Sequence, residues 1–68
     1  MKDFSTRLKE IRNERRIKLR EVAEHLGMTL RNYQRYEAGD AEPSIKNLIA
    51  LADYFNVTLD YLMGRTDE

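Results

Sequence analysis

Two short helical runs joined through a glycine and a threonine fill the stretch from Ile17 to Pro43, and they constrain this chain more than any other feature. In the first run, Leu19-Arg20-Glu21-Val22-Ala23-Glu24-His25-Leu26, the apolar Val22, Ala23 and Leu26 recur at helical spacing. Gly27 can then take the left-handed conformation that ends a helix without steric cost. Thr29 follows, and its hydroxyl can accept from an orphan backbone N–H of a second run, Leu30 to Glu37. Two helices joined by a glycine-containing turn of about three to four residues make the helix-turn-helix unit.

Placing Leu30–Glu37 on a wheel of about 100° per residue separates its faces. With Leu30 at the origin, Gln34, Arg31 and Arg35 fall within roughly 140° on one side, while Tyr33, Tyr36 and Glu37 lie on the other. The aromatic side suits a core, and the cationic and amide side suits an external partner. Arginine can fork onto guanine O6 and N7, glutamine can bridge adenine N6 and N7, and an apolar side chain can meet a thymine methyl. Such residues keep any surface helix soluble; here they sit on the second helix of a helix-turn-helix unit, which turns the balance towards double-stranded DNA.

The flanking segments read as helices of the same bundle. Phe4, Leu8, Ile11 and then Ile17, beyond the cationic Arg15-Arg16, give the first helix an apolar stripe, with Asp3 or Ser5 as its start signal. Glu42-Pro43 is a breaker, because proline pushes the preceding residue towards extended geometry. Ser44 can cap a helix whose Ile45, Leu48, Ile49, Leu51, Ala52 and Phe55 face inward, and Asn56 is a left-handed terminator. Thr58 can cap a last short helix from Leu59 to Met63, stopped by Gly64. No run alternates with period two between turn signals, so no strand is expected. The expectation is an all-α single domain over residues 1–68, with five helices at about 4–15, 19–26, 30–37, 45–55 and 59–63.

Charge patterning bears on the partner. The formal net charge is zero, which at first opposes nucleic-acid binding, since neutralising phosphates needs local positive charge. Residues 1–35, however, carry ten Lys and Arg against five Asp and Glu, and residues 36–68 carry two against seven. Asymmetry of this kind points either to a polyanion partner or to a surface that compensates itself.

Other function classes find little support. The chain has 68 residues, one histidine and no cysteine. That excludes disulfides and thiolate metal sites, and a histidine-based triad would have to be built around His25 without any supporting motif. His25 late in its helix reads as a partner of the helix dipole or as a solvated residue. Glu10 and Glu14 are surface-like carboxylates, and there is no glycine-rich phosphate loop. No cofactor, metal or small-molecule ligand is expected. No apolar run approaches the roughly 20 residues that span a bilayer, and Met1-Lys2-Asp3-Phe4 lacks a signal-peptide core. A chain this small buries only about 60% of the surface its unfolded form exposes, so oligomerisation would help its stability.

From Phe4 to Gly64 the chain resembles the lambdoid repressor and Cro type of helix-turn-helix domain, the xenobiotic-response-element family of bacterial and phage regulators. The residues that carry the resemblance are Leu8, Ile11 and Arg12; Val22-Ala23-x-x-Leu26-Gly27-Met28-Thr29; Tyr33-x-Arg35-Tyr36-Glu37-x-Gly39; and Glu42-Pro43-Ser44, Leu48-x-x-Leu51-Ala52 and Leu59-Asp60-Tyr61-Leu62-x-Gly64. It implies a five-helix lambda-repressor-like bundle whose third helix enters the major groove. Its base-reading slots fall on Leu30, Arg31, Gln34 and Arg35, with Asn32 marginal. It also implies an ion pair between Arg12 and Glu37, a cytoplasmic repressor in a bacterial or phage-infected cell, and a homodimer on a palindromic operator.

The sequence departs from that pattern in ways that bear on function. The slot at the start of the second helix that often holds a phosphate-bonding glutamine is Leu19, so Lys18 and Arg20, with Thr29, are the expected phosphate contacts. The loop after the third helix is often basic in relatives but reads Gly39-Asp40-Ala41-Glu42, which either weakens binding or turns away from the duplex. A small aliphatic slot in the third helix is Tyr33, whose hydroxyl needs water or a partner. The alternative function is a protein-interaction module that keeps the fold without specific DNA binding. Leu59, Tyr61, Leu62 and Met63 are the candidate dimer interface, set against core packing.

Overall fold

The computed structural model describes residues 3–66. Among these it contains five helices: α1 (Phe4–Glu14), α2 (Leu19–Leu26), α3 (Leu30–Ala38), α4 (Ile45–Phe55) and α5 (Leu59–Leu62). Lys2, Asp67 and Glu68, which enter the charge asymmetry of the sequence, lie outside the described residues.

Side-chain caps start most of these helices. Asp3, Thr29, Ser44 and Thr58 each accept a hydrogen bond from the backbone N–H three residues on, satisfying one of the donors that a helix start leaves without an intrahelical partner. Of the two start signals read for α1, Asp3 serves, and Ser5 donates its hydroxyl to the Asp3 carboxylate at 3.1 Å. Lys18 at the start of α2 makes no such bond.

Helix ends differ from expectation by single residues. α1 stops at Glu14, one residue early, because Arg16 adopts φ 55°, a left-handed conformation with no glycine to announce it. Ile17 therefore lies outside α1 and packs on the core from the connecting loop. α3 continues to Ala38 before Gly39 closes it at φ 82°, and α5 ends at Leu62. Gly39 is also a close approach: a Cβ there would lie 3.3 Å from Ser5 Oγ, so the α3–α4 loop packs against the start of α1.

The core is one cluster drawn from all five helices: Leu8, Ile11, Val22, Ala23, Tyr33, Tyr36, Leu51, Ala52, Phe55 and Leu62. α3 lies against both α1 and α2, and α5 against α4 and α1. Between α2 and α3, Gly27 at φ 68° lets Met28 N–H bond back to Ala23 O at 2.9 Å, which fixes the turn. Asn47 of α4 donates to Tyr36 Oη at 3.0 Å and to Met28 Sδ at 3.8 Å, tying that turn and α3 to the opposite side of the bundle. No described helix is long and apolar enough to cross a membrane.

Candidate nucleic-acid interface

α3 is held from behind by its buried face. Tyr33 is fully buried, and Tyr36 and Glu37 nearly so. The two tyrosine rings meet edge-on at 6.1 Å between centroids, and Tyr36 meets Phe4 of α1 similarly at 6.4 Å. A buried carboxylate in such surroundings needs compensation, and Glu37 receives it from two sides. Arg12 Nε donates to Glu37 Oε2 at 2.6 Å and Arg12 Nη2 to Oε1 at 3.0 Å, a two-pronged pairing from α1. Tyr33 Oη donates to the same Oε2 at 2.6 Å from one turn earlier in α3. The third prong of the guanidinium, Nη1, donates to Ile17 O at 2.9 Å.

One carboxylate thus joins α1 to α3, and the α1–α2 loop is attached through the same arginine. The structure brings together Arg12 and Glu37, and it supplies the partner that the Tyr33 hydroxyl required. Hydrogen bonding to Glu37 holds the Arg12 guanidinium even more firmly protonated than usual. Burial, followed by its bond to Glu37, pushes the Tyr33 hydroxyl well above the ordinary phenol range, so it remains a donor.

The opposite face of α3 is open. Arg31, Asn32, Gln34 and Arg35 are exposed, and Leu30 is half-buried at the helix start. Among the described residues no hydrogen bond or ion pair holds the Arg31 or Arg35 guanidinium within the protein. Gln34 lies nearer one flank, where it lines a shallow hollow with Lys9, Arg12, Leu19, Glu37 and Ala38. Lys18, Arg20 and Thr29 are exposed, with the Thr29 hydroxyl engaged in capping α3 at 3.1 Å from Asn32 N. Leu19 is half-buried and packs on the core, an apolar use of the slot.

Lys9 is the residue that sequence reasoning passed over. It is exposed at the mouth of the hollow that α1 shares with Gln34 and the start of α2. The signal was present: Lys9 precedes Arg12 by three residues, and residues three apart on a helix share a face. Once Arg12 points to α3, Lys9 is on the same side.

The loop of Gly39-Asp40-Ala41-Glu42 leans on the start of α1. Ala41 packs on the core, while Asp40 and Glu42 are exposed, Glu42 beside Asp3, Phe4 and Ser5. The candidate interface on α5 needs a correction. Leu62 is fully buried, because in a four-residue helix its position faces α4 and α1, so it packs the core and offers nothing to a partner. Tyr61 is half-buried beneath Arg7, whose guanidinium carbon sits 4.2 Å from the ring centroid. Leu59 and Met63 remain open, at 44% and 40% exposure, and so, against expectation, do Ile45 and Ile49 on α4, at 76% and 46%, because the buried stripe of that helix is centred on Leu51, Ala52 and Phe55. His25 stacks on Tyr54 at 4.4 Å between ring centroids. Among the described residues no group of histidines and carboxylates is arranged to hold a metal.

Comparison with known proteins agrees with this architecture. The family described as Helix-turn-helix matches residues 8–62. The chain is 38% identical over 66 residues to the uncharacterized HTH-type transcriptional regulator YqaE of Bacillus subtilis, covering 96% of this chain and 57% of that protein. It is 38% identical over 50 residues to the cryptic phage CTXphi transcriptional repressor RstR of Vibrio cholerae, covering 71% of this chain and 45% of that one. A transcriptional regulator from Listeria innocua of known crystal structure superposes with a TM-score of 0.89 at 33% identity, covering 97% of this chain and 62% of that one. The chain therefore spans about half the length of the curated relatives it matches. A match over that much of its length, on a bundle whose α2–turn–α3 unit is built as described, makes this chain a member of the helix-turn-helix family.

Proposed function

We propose that this chain is the sequence-specific DNA-binding domain of a transcriptional repressor, acting as a homodimer on a palindromic operator. The observation that carries the reading is the division of α3. Its inner face is fixed by Tyr33, Tyr36 and the Glu37 pairing, and its outer face presents Arg31 and Arg35 with no partner of their own within the described protein. A rigid helix with uncommitted guanidiniums suits the major groove, whose guanine edges offer paired acceptors. Leu30, Arg31, Gln34 and Arg35 meet base edges, with Asn32 at the margin. Lys9, Lys18, Arg20 and Thr29 lie where the phosphate backbone would pass, and the start of α2 adds backbone N–H groups with no side-chain cap.

Relatives described as HTH-type transcriptional regulators and as a phage repressor favour the same class. Leu59 on α5 and Met63 just past its end, both exposed, are the candidate contact with a second copy, which would place half-sites about 34 Å apart. The test is the salt dependence of binding to duplex DNA. The logarithm of the binding constant should fall with that of salt concentration by about 0.9 per phosphate neutralised. Absence of binding to any duplex at about 50 mM salt would overturn the reading.

A further inference from the structure

Resting on that reading, the geometry of α3 assigns the operator a definite pattern: we propose that each half-site presents two guanines two base-pair steps apart, one read by Arg31 and the other by Arg35. Three observations carry it. First, these two side chains point most directly away from the protein: with the buried Tyr33, Tyr36 and Glu37 marking the inner side, Arg31 and Arg35 sit opposite, whereas Asn32 and Gln34 fall on the flanks. Gln34 also lines the hollow beside Lys9 and Leu19, on the flank that faces α1 and α2.

Second, both guanidiniums are uncommitted among the described residues, so neither must break an internal bond to fork onto a base. Third, the spacing is set by the helix. Four residues at about 1.5 Å each separate the two positions by roughly 6 Å along the axis. Base pairs stack about 3.4 Å apart, so two arginines reaching straight out from a helix lying along the groove meet pairs about two steps apart. Leu30, half-buried one residue before Arg31, is the apolar side chain beside it and meets the thymine methyl of a pair next to the first guanine.

The experiment is selection of bound sequences from a random duplex pool, run with the 68-residue chain and with Arg31→Gln and Arg35→Gln. The expected result is two enriched guanine columns, two positions apart, repeated with two-fold symmetry. Each variant should lose one column and exchange it for adenine, and replacing either guanine should weaken the unmodified chain by about fivefold to a hundredfold. Enriched sequences without that pair, with another spacing, or with both variants altering the same column overturn the inference and leave the DNA-binding reading standing. No enrichment by the unmodified chain overturns the reading itself. Circular dichroism of each variant shows whether it is folded. For a variant that is not, Arg31→Lys or Arg35→Lys takes its place, with one guanine column weakened as the expected result and both columns intact as the result that overturns the inference.

Discussion

Arginines at two places in this bundle are put to opposite uses. Arg7, Arg12 and Arg15, on α1 and at its end, all engage groups of the protein itself, although Arg15 is otherwise exposed. Arg7 lies over the Tyr61 ring, Arg12 pairs with Glu37, and Arg15 donates to the carbonyl of Phe55, the last residue of α4. Arg31 and Arg35 on α3 reach out and hold nothing within the described protein. The side chain is the same in both places, and the difference lies in which face of the helix bears it. On α1 the guanidinium fixes neighbouring helices through its planar array of donors. On α3 those same donors remain available. Arg12 is moreover neutralised by a carboxylate from the acidic half of the sequence, so the cationic half offers a duplex less charge than its composition suggests.

The contrast breaks most visibly at Arg12. Removing that side chain strands the Glu37 carboxylate in a nearly dry site, and Arg12→Ala should cost about 3–5 kcal/mol of folding stability, read from the midpoint and slope of urea unfolding. A loss below about 1 kcal/mol would mean that Glu37 is solvated, and the tie between α1 and α3 would lose its meaning.

Tyr33→Phe tests the same carboxylate from within α3. The ring stays and a bond to a charged acceptor goes, so a loss of about 1.5–3 kcal/mol is expected, smaller than for Arg12 because the two-pronged pairing survives. Equal stability of the two proteins would show that the hydroxyl contributes nothing.

Arg31→Ala and Arg35→Ala sharpen the comparison from the other side. Folding stability should change by less than about 0.5 kcal/mol, as for exposed positions without internal partners. Affinity for the selected operator should fall by about 1–3 kcal/mol in a titration at fixed salt. A stability loss approaching that of Arg12→Ala would erase the distinction between the two sets.

The smallest effect concerns acid. Asp3 accepts the Thr6 backbone N–H and the Ser5 hydroxyl, and these bonds hold its carboxyl below its ordinary value of 3.8. A carboxyl with a lowered folded-state pKa adds stability above its unfolded value and loses that contribution as pH falls through the folded one. Asp3→Asn should therefore flatten the decline of stability below about pH 4 while leaving the slope near neutrality alone. An unchanged acid slope would argue against the cap.

Much of this molecule is legible in its sequence, for reasons tied to particular residues. Thr29, Ser44 and Thr58 announce helix starts because a short hydroxyl side chain has few other uses just before an apolar run. Gly27, Gly39 and Asn56 mark helix ends because few other residues tolerate positive φ. Arg16 also has positive φ, and nothing in an arginine advertises it, so the sequence carries the helix one residue too far and does not show that Ile17 reaches the core from the loop.

The outward face of α3 follows from a nine-residue helix long enough for the wheel to separate two sides. α5 has four residues, too few for periodicity to decide between Leu59, Tyr61, Leu62 and Met63, and the core takes Leu62. The inward turn of Arg7 was available, since it sits one turn before Ile11 on the apolar stripe, but charge argues for the surface until an aromatic partner is known.

The central claim is that the free arginines of α3, and not those of α1, meet the duplex. Nitrogen-15 spectra of the arginine Nε–H groups, recorded while a selected operator is added, test it directly. Arg31 and Arg35 should shift strongly, with Arg7 and Arg15 unmoved. Shifts confined to the α1 arginines, or unperturbed Arg31 and Arg35 at saturation, would contradict it.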